Sequence, residues 1–153
     1  MPELEVATFI ESFRALREKL LRNLESLSPS ALNWKPPAPD TNSAFVLATH
    51  LIGSEKFWFW QVIAGNEIHR DRQAEFAAQG TDASLFRQEL AQLEKASEAI
   101  LNGLSESDLA SPRHTRYGDR SVRWCILHMH EHYAEHNAHI ELTRQLWEFH
   151  QAH

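Results

Sequence analysis

The sequence predicts an all-α fold, a four-helix bundle with long inter-helix connections, carried as one domain over residues 1–153. Three observations carry that prediction. Four segments repeat apolar residues at spacings of three and four, the period of a helix with one buried face. No segment shows clean period-two alternation, so no strand is assigned. The 153 residues include only 5 Gly and 6 Pro, too few for the turns of an all-β fold.

The first helix is predicted from about Glu5 to Leu27. Val6, Phe9, Ile10, Phe13, Leu16, Leu20, Leu24 and Leu27 make its apolar face, and charges including Arg14, Arg17 and Arg22 fill the other. Ser28-Pro29 ends it. Residues 28–42 read as a connection, because three prolines in four residues forbid helix there, and Trp34 is expected to plug one end of the core. The second helix runs from about Ser43 to Ala64, capped by Thr41, Asn42 or Ser43 and stopped by Gly65-Asn66. It is apolar on most sides and carries Phe57-Trp58-Phe59-Trp60. One turn of a bundle helix cannot bury four large rings inside its own subunit. The turn therefore predicts a homodimer contact, with cover by the connection 28–42 as the alternative. Residues 66–82 are polar and carry no period.

The third helix runs from about Ala83 to Gly103, capped by Asp82. Beyond it, Ser105 and Asp108 have the spacing of a capping box opening one short turn. Arg113, His114, Arg116, Arg120 and Arg123 gather next, as a solvated loop or as a rim for an anionic substrate. The fourth helix runs from about Ser121 to the C-terminus. Connections of about 15 residues permit crossovers, so loop length leaves the helix order open.

Composition narrows the function. Basic residues number 15 against 21 acidic, a net charge of -6, which argues against a phosphate-tracking surface and predicts no nucleic-acid partner. The single Cys125 can form no internal disulfide, which predicts a cytoplasmic protein. The opening MPELEVATFIESF places acids where a signal peptide needs a basic start. No apolar run approaches the ~20 residues that span a bilayer, so no membrane partner is predicted. GxGxxG, P-loop, GxSxG and HExxH motifs are all missing, against nucleotide-dependent and triad chemistry.

The chemistry lies in the 10 histidines. At about 100° per residue, Val122, Cys125, Met129, Ile140, Thr143 and Trp147 share the face of His136 on the fourth helix. His132 lies about 40° to one side, still inside that stripe, His128 and His139 lie further round the same flank, and His130 lies outside it. His132 and His136, at i and i+4, stack two imidazoles about 6 Å apart. Buried imidazoles need partners for both ring nitrogens and repel when protonated. A divalent metal removes both problems, although His-rich solvated faces share this spacing. His50, on the second helix among Val46, Leu47, Ile52, Gly53 and Phe57, is the third candidate donor. Three protein nitrogens plus water is the open arrangement of a catalytic or substrate-binding zinc, and imidazole ligation also suits nickel or iron. Glu55, Glu131 and Glu135 read as facing away from the metal, so no buried carboxylate stands out as a general base. Cys125 reads as a small core residue.

Three stretches carry a family resemblance. LESLSPSALNWKPPAPDTNSAFVLATHL, HLIGSEKFWFWQVIAG and SVRWCILHMHEHYAEHNAHIELTRQ resemble, in order, the signals of the DinB/YfiT-like superfamily of metal-binding four-helix bundles. The last two resemble its mycothiol-dependent maleylpyruvate isomerase-like branch, which often has a carboxylate where this chain has His132. The resemblance implies a metal held by His50, His132 and His136, with His139 near the site as a residue that orients a ligand or merely flanks it. It also implies a metal-dependent transferase, in several relatives with a low-molecular-weight thiol as cosubstrate, acting on a small molecule. Hydrolysis follows from the same site. A non-catalytic metal or ligand carrier, and a bundle with structural histidines, remain as alternatives.

Overall fold

The computed structural model describes residues 4–153, so the acidic start read above lies partly outside it. Four long helical segments build the bundle: α1 (Leu4–Glu25), α3 (Ala44–Glu55) continued by a π-helix (Lys56–Ile63), α5 (Ser84–Asn102) and α7 (Val122–Ala152). Short helices α2 (Pro29–Asn33), α4 (Arg72–Phe76) and α6 (Glu106–Ala110) lie in the connections, with a hairpin of β1 (Pro112–Thr115) and β2 (Gly118–Ser121).

The periodic faces are the buried faces. On α1, Val6, Phe9, Ile10, Phe13, Leu20 and Leu24 join the core, and Leu90, Leu93 and Leu101 do so from α5. Full burial of each such side chain is worth roughly 1.5–3 kcal/mol. Side-chain pairs fix the order that loop length left open. Glu5 meets Arg123 and Lys19 meets Glu141, so α1 and α7 run in parallel. Arg14 meets Glu98 and Glu25 meets Arg87, so α5 runs opposite to α1. His50 meets His132 while Trp58 meets Trp124, so α3 and its π-helix run opposite to α7.

The caps follow the sequence at Ser43, whose hydroxyl accepts from the Val46 amide, and at Ser105, where the capping box with Asp108 is complete. At α5 the cap position is Ala83. Asp82 stands one residue earlier and its Oδ1 accepts from the Ser84 amide at 2.7 Å.

Four expectations are corrected. The hairpin was not assigned from sequence. Its strands have four residues each, too short for alternation to register, and only Thr115 is buried. Gly118 at its turn has φ 84°, a conformation that other residues adopt at a cost. Within 28–42, residues Pro29–Asn33 form one helical turn because Ser28 caps it and proline suits its first position. Arg17 sits inside rather than on the charged face of α1, and Glu55 is fully buried against it, with exposures of 2% and 0%. They form an ion pair, and the Tyr133 hydroxyl donates to Glu55 at 2.6 Å.

The fourth correction concerns the aromatic turn, part of which the chain covers by itself. Trp58 and Phe59 are buried, while Phe57 and Trp60 pack half-buried against the core. The π-helix spreads the rings over a wider turn, closed by a bond from the Ala64 amide to the Phe59 carbonyl. The rings over Trp58 come from the hairpin and α7 and not from the connection 28–42. Trp58 packs on Tyr117 of the hairpin and on Trp124 and His128 of α7. Trp34 lies elsewhere, against Trp147 and His150. No helix of the described residues is long and apolar enough to cross a membrane.

Candidate metal centre

His50 lies mid-way along α3, and His132 and His136 lie one turn apart on the facing stretch of α7. Their ring centroids are 5.0 Å (His50–His132), 5.4 Å (His50–His136) and 4.4 Å (His132–His136) apart. One ring nitrogen from each lies within 4.8 Å of the others, a spacing that could hold a metal ion. His50 is buried and the other two half-buried.

The orientation of His50 is set from outside the cluster. Its Nδ1 faces Glu75 Oε2 at 3.0 Å, leaving Nε2 turned to His132 Nε2 at 3.0 Å. Burial raises the Glu75 carboxyl pKa, but bonds from Arg70 and His50 outweigh it and hold the group below the ordinary carboxylate range. Glu75 is therefore an acceptor, His50 donates Nδ1–H to it, and the His50 Nε2 lone pair faces the cluster. Arg70 grips Glu75 with Nε at 2.7 Å and Nη2 at 2.9 Å, and Nη2 also donates to Ser54 Oγ. Gly53 makes this approach possible: a Cβ there would overlap the Glu75 carboxylate.

Sequence reading missed Glu75, Arg70 and Ser54. The first two lie in the polar stretch 66–82, on or beside a helix of five residues, too short to show a period. Among the described residues two buried carboxylates exist where none was expected, Glu55 and Glu75, but both are committed to arginines. His139 reaches the site's edge, with Nδ1 3.3 Å from His136 Nδ1. His130, expected outside the buried face, instead bonds Ser12 of α1 at 2.6 Å. Glu135, read as facing outward, lines the cleft beside the histidines. Burial pushes the Cys125 thiol pKa up, which keeps it protonated.

Burial first, then the neighbouring rings, lowers His132 to about 3 and His136 to about 4. The rings are thus neutral at physiological pH, the state a metal requires, and proton competition begins well below the ordinary imidazole range. In the unfolded chain both titrate near 6.5, so that state binds more protons between about 4 and 6.5. Stability conferred by these neutral rings is therefore present above pH 6.5 and is lost as pH falls toward 4. The urea midpoint of metal-free protein should drop steadily across that window, and a flat midpoint would contradict the assignment. Glu75→Gln should weaken zinc binding about 10–100-fold, because His50 loses the carboxylate that orients it. Titration against a chromophoric chelator reads this, and an unchanged affinity would remove Glu75 from the site.

His50 and His132 open into a cleft of about 850 Å³ between the π-helix, the hairpin and α7. Trp58, Tyr117 and His128 wall it, and Arg70, Arg72 and Arg116 face it. A family model for mycothiol-S-transferase matches residues 8–148, nearly the whole chain. The chain belongs to the mycothiol-S-transferase family. Solved structures agree on the DinB-like fold of this family member. A DinB-like protein from Bacillus cereus matches with TM-score 0.72 and 14% identity, over 92% of this chain and 91% of that one. One from Bacillus subtilis matches with TM-score 0.69 and 19% identity, over 92% of each. No curated protein matches the sequence.

A third structure overturns the exclusion of nucleic acid. The colibactin self-resistance protein ClbS, in complex with dsDNA, matches with TM-score 0.64 and 17% identity, over 91% of this chain and 94% of that one. A protein of this architecture can hold DNA, so a net charge of -6 excludes nothing here. Net charge averages the whole surface, whereas a partner meets a local patch.

Proposed function

We propose that this member of the mycothiol-S-transferase family is a metal-dependent transferase that joins a low-molecular-weight thiol to a small electrophile. Its site would be one divalent ion held by His50, His132 and His136. The observation that carries the reading is the set of three close imidazoles, one oriented by a buried carboxylate and two of them, His50 and His132, lining a cleft. The donor set fits zinc, and nickel or iron are compatible with it. A divalent ion there would lower the pKa of a thiol or water at its open position and so present a nucleophile near neutral pH.

The chain's own groups do the rest. His50, His132 and His136 offer lone pairs rather than protons. The Glu75–Arg70 pair fixes His50. In the transfer the thiol gives its proton to solvent water, its sulfur bonds to the electrophilic carbon, and the displaced leaving group departs with the bonding pair. Among the described residues the buried carboxylates Glu55 and Glu75 are committed to arginines and the uncommitted Glu135 of the cleft is exposed, which favours thiol transfer over hydrolysis. The cytoplasm, where such thiols stay reduced, is the compartment this reading requires.

The test incubates zinc-loaded protein with an alkylating electrophile and, in turn, mycothiol, bacillithiol, glutathione and coenzyme A. Consumption of one thiol above the protein-free rate, abolished by chelation, is the expected result. No thiol consumed by fully loaded protein would leave a metal-binding carrier instead. Product released without any thiol would make it a hydrolase.

A further inference from the structure

Beside the histidines the cleft holds a hydroxyl that the three-imidazole site leaves without a task. Ser54 stands one turn after His50 on α3, is 3% exposed, and lines the cleft with His50 and His132. A helical hydroxyl can bond the carbonyl one turn back, as those of Thr8 and Thr49 do in this chain. The Ser54 Oγ is turned to the rings instead, 3.3 Å from His132 Nε2 and 3.5 Å from His50 Nε2.

The count of hydrogens around this oxygen is informative. Arg70 Nη2 lies 2.9 Å away, and a guanidinium can only donate, so Ser54 Oγ is the acceptor there. The hydrogen of Ser54 itself is then free to be donated. Among the described residues the acceptors within its reach are the Nε2 atoms of His50 and His132. An ion held by those rings would take the same lone pairs, and a ligated imidazole nitrogen accepts nothing more. A buried hydroxyl whose hydrogen loses its acceptor is destabilising, and the acceptor that remains is the group at the open position of the ion. Arg70, with a side chain 14% exposed, stands on the other side of the oxygen and polarises the hydroxyl toward a negative partner.

We infer that Ser54, held in place by Arg70, donates a hydrogen bond to the atom at the open position of the ion, and so selects an anionic atom that keeps a lone pair after binding, such as thiolate sulfur. A neutral nitrogen donor spends its one lone pair on the ion and gains nothing from Ser54. The inference deepens the transferase reading and rests on its metal, since it names the form in which the thiol would be held.

Cobalt-loaded protein tests it, because zinc is d¹⁰ and silent whereas cobalt reports its fourth ligand in visible absorption. Two probes are titrated: azide, an anion whose bound nitrogen still accepts, and imidazole, whose bound nitrogen does not. Ser54→Ala should weaken azide about 10-fold, as loss of one bond to a charged group implies, and leave imidazole unchanged. Cobalt affinity, read against a chromophoric chelator, should stay within threefold. Ser54→Gly, which also lacks the hydroxyl but differs in bulk, should repeat the pattern. Both variants are expected to fold, since Arg70 Nη2 keeps Glu75 Oε2 at 2.9 Å, and circular dichroism checks this. Three results would overturn the inference: azide affinity unchanged in Ser54→Ala, azide and imidazole weakened alike, or cobalt affinity lost together with azide. The last would make Ser54 a ligand of the ion. Wild-type protein that takes up no cobalt would sink the metal reading and this inference with it. Protein that shows the azide pattern but consumes no thiol would sink the transferase reading and leave the role of Ser54 standing.

Discussion

His136→Ala should reduce zinc affinity by more than about 100-fold, the largest effect expected of any single change in this chain. Losing a group that merely orients a ligand costs about 10–100-fold, and losing one of three ligands costs more. Neither neighbour can replace it. His139 reaches the His136 ring but is exposed, and His130 is turned to α1 and bonded to Ser12. The same helix therefore supplies its own controls. His130→Ala should leave zinc affinity unchanged, His139→Ala should weaken it by less than Glu75→Gln, and His132→Ala should match His136→Ala. Competition with a chromophoric chelator orders the four. A His136→Ala protein within threefold of wild type would remove this residue from the ligand set.

Glu55→Ala should cost about 3–5 kcal/mol of folding stability, a large part of the ~5–15 kcal/mol that a domain possesses. The reason is the charge left behind. Arg17 has a side chain 3% exposed, and its nearest other carboxylate oxygen, on Glu94, is 3.7 Å away. Its Nη1 already lacks a hydrogen-bond acceptor, and Tyr133 would lose the acceptor of its hydroxyl. Replacing both partners, Arg17→Met with Glu55→Leu, should cost much less, because no buried charge is then unpaired. Urea unfolding of the single and double variants measures the difference. A single variant losing under 1 kcal/mol would show that Arg17 escapes to water.

Those two residues also show where sequence reading reaches its limit. Periodicity placed His50, His132 and His136 inward because apolar neighbours at three and four residues mark the buried stripe, and helix geometry does the rest. The same rule put Arg17 outside, since a charged side chain is counted as solvated unless its partner is known. That partner stands 38 residues away on another helix. Glu75 was out of reach for a related reason. It reaches His50 only because Gly53 leaves room and because a five-residue helix carries it there, and neither fact has a periodic signature. The aromatic turn misled because a regular α-helix was assumed. A π-helix and a short hairpin, both invisible to a 3.6-residue period, let one subunit cover its own rings. The DinB-like fold was legible because it depends on the long stripes, whereas the walls of the cleft depend on the short pieces.

The central claim is that these three histidines bind one divalent ion, and the most direct measurement is the metal content of protein purified without metal-affinity chromatography. Elemental analysis after loading with zinc and desalting should give about one equivalent per chain, falling below about a tenth in the His132→Ala, His136→Ala double variant. Wild-type protein that retains less than a tenth of an equivalent, or a double variant that keeps a full one, would contradict it.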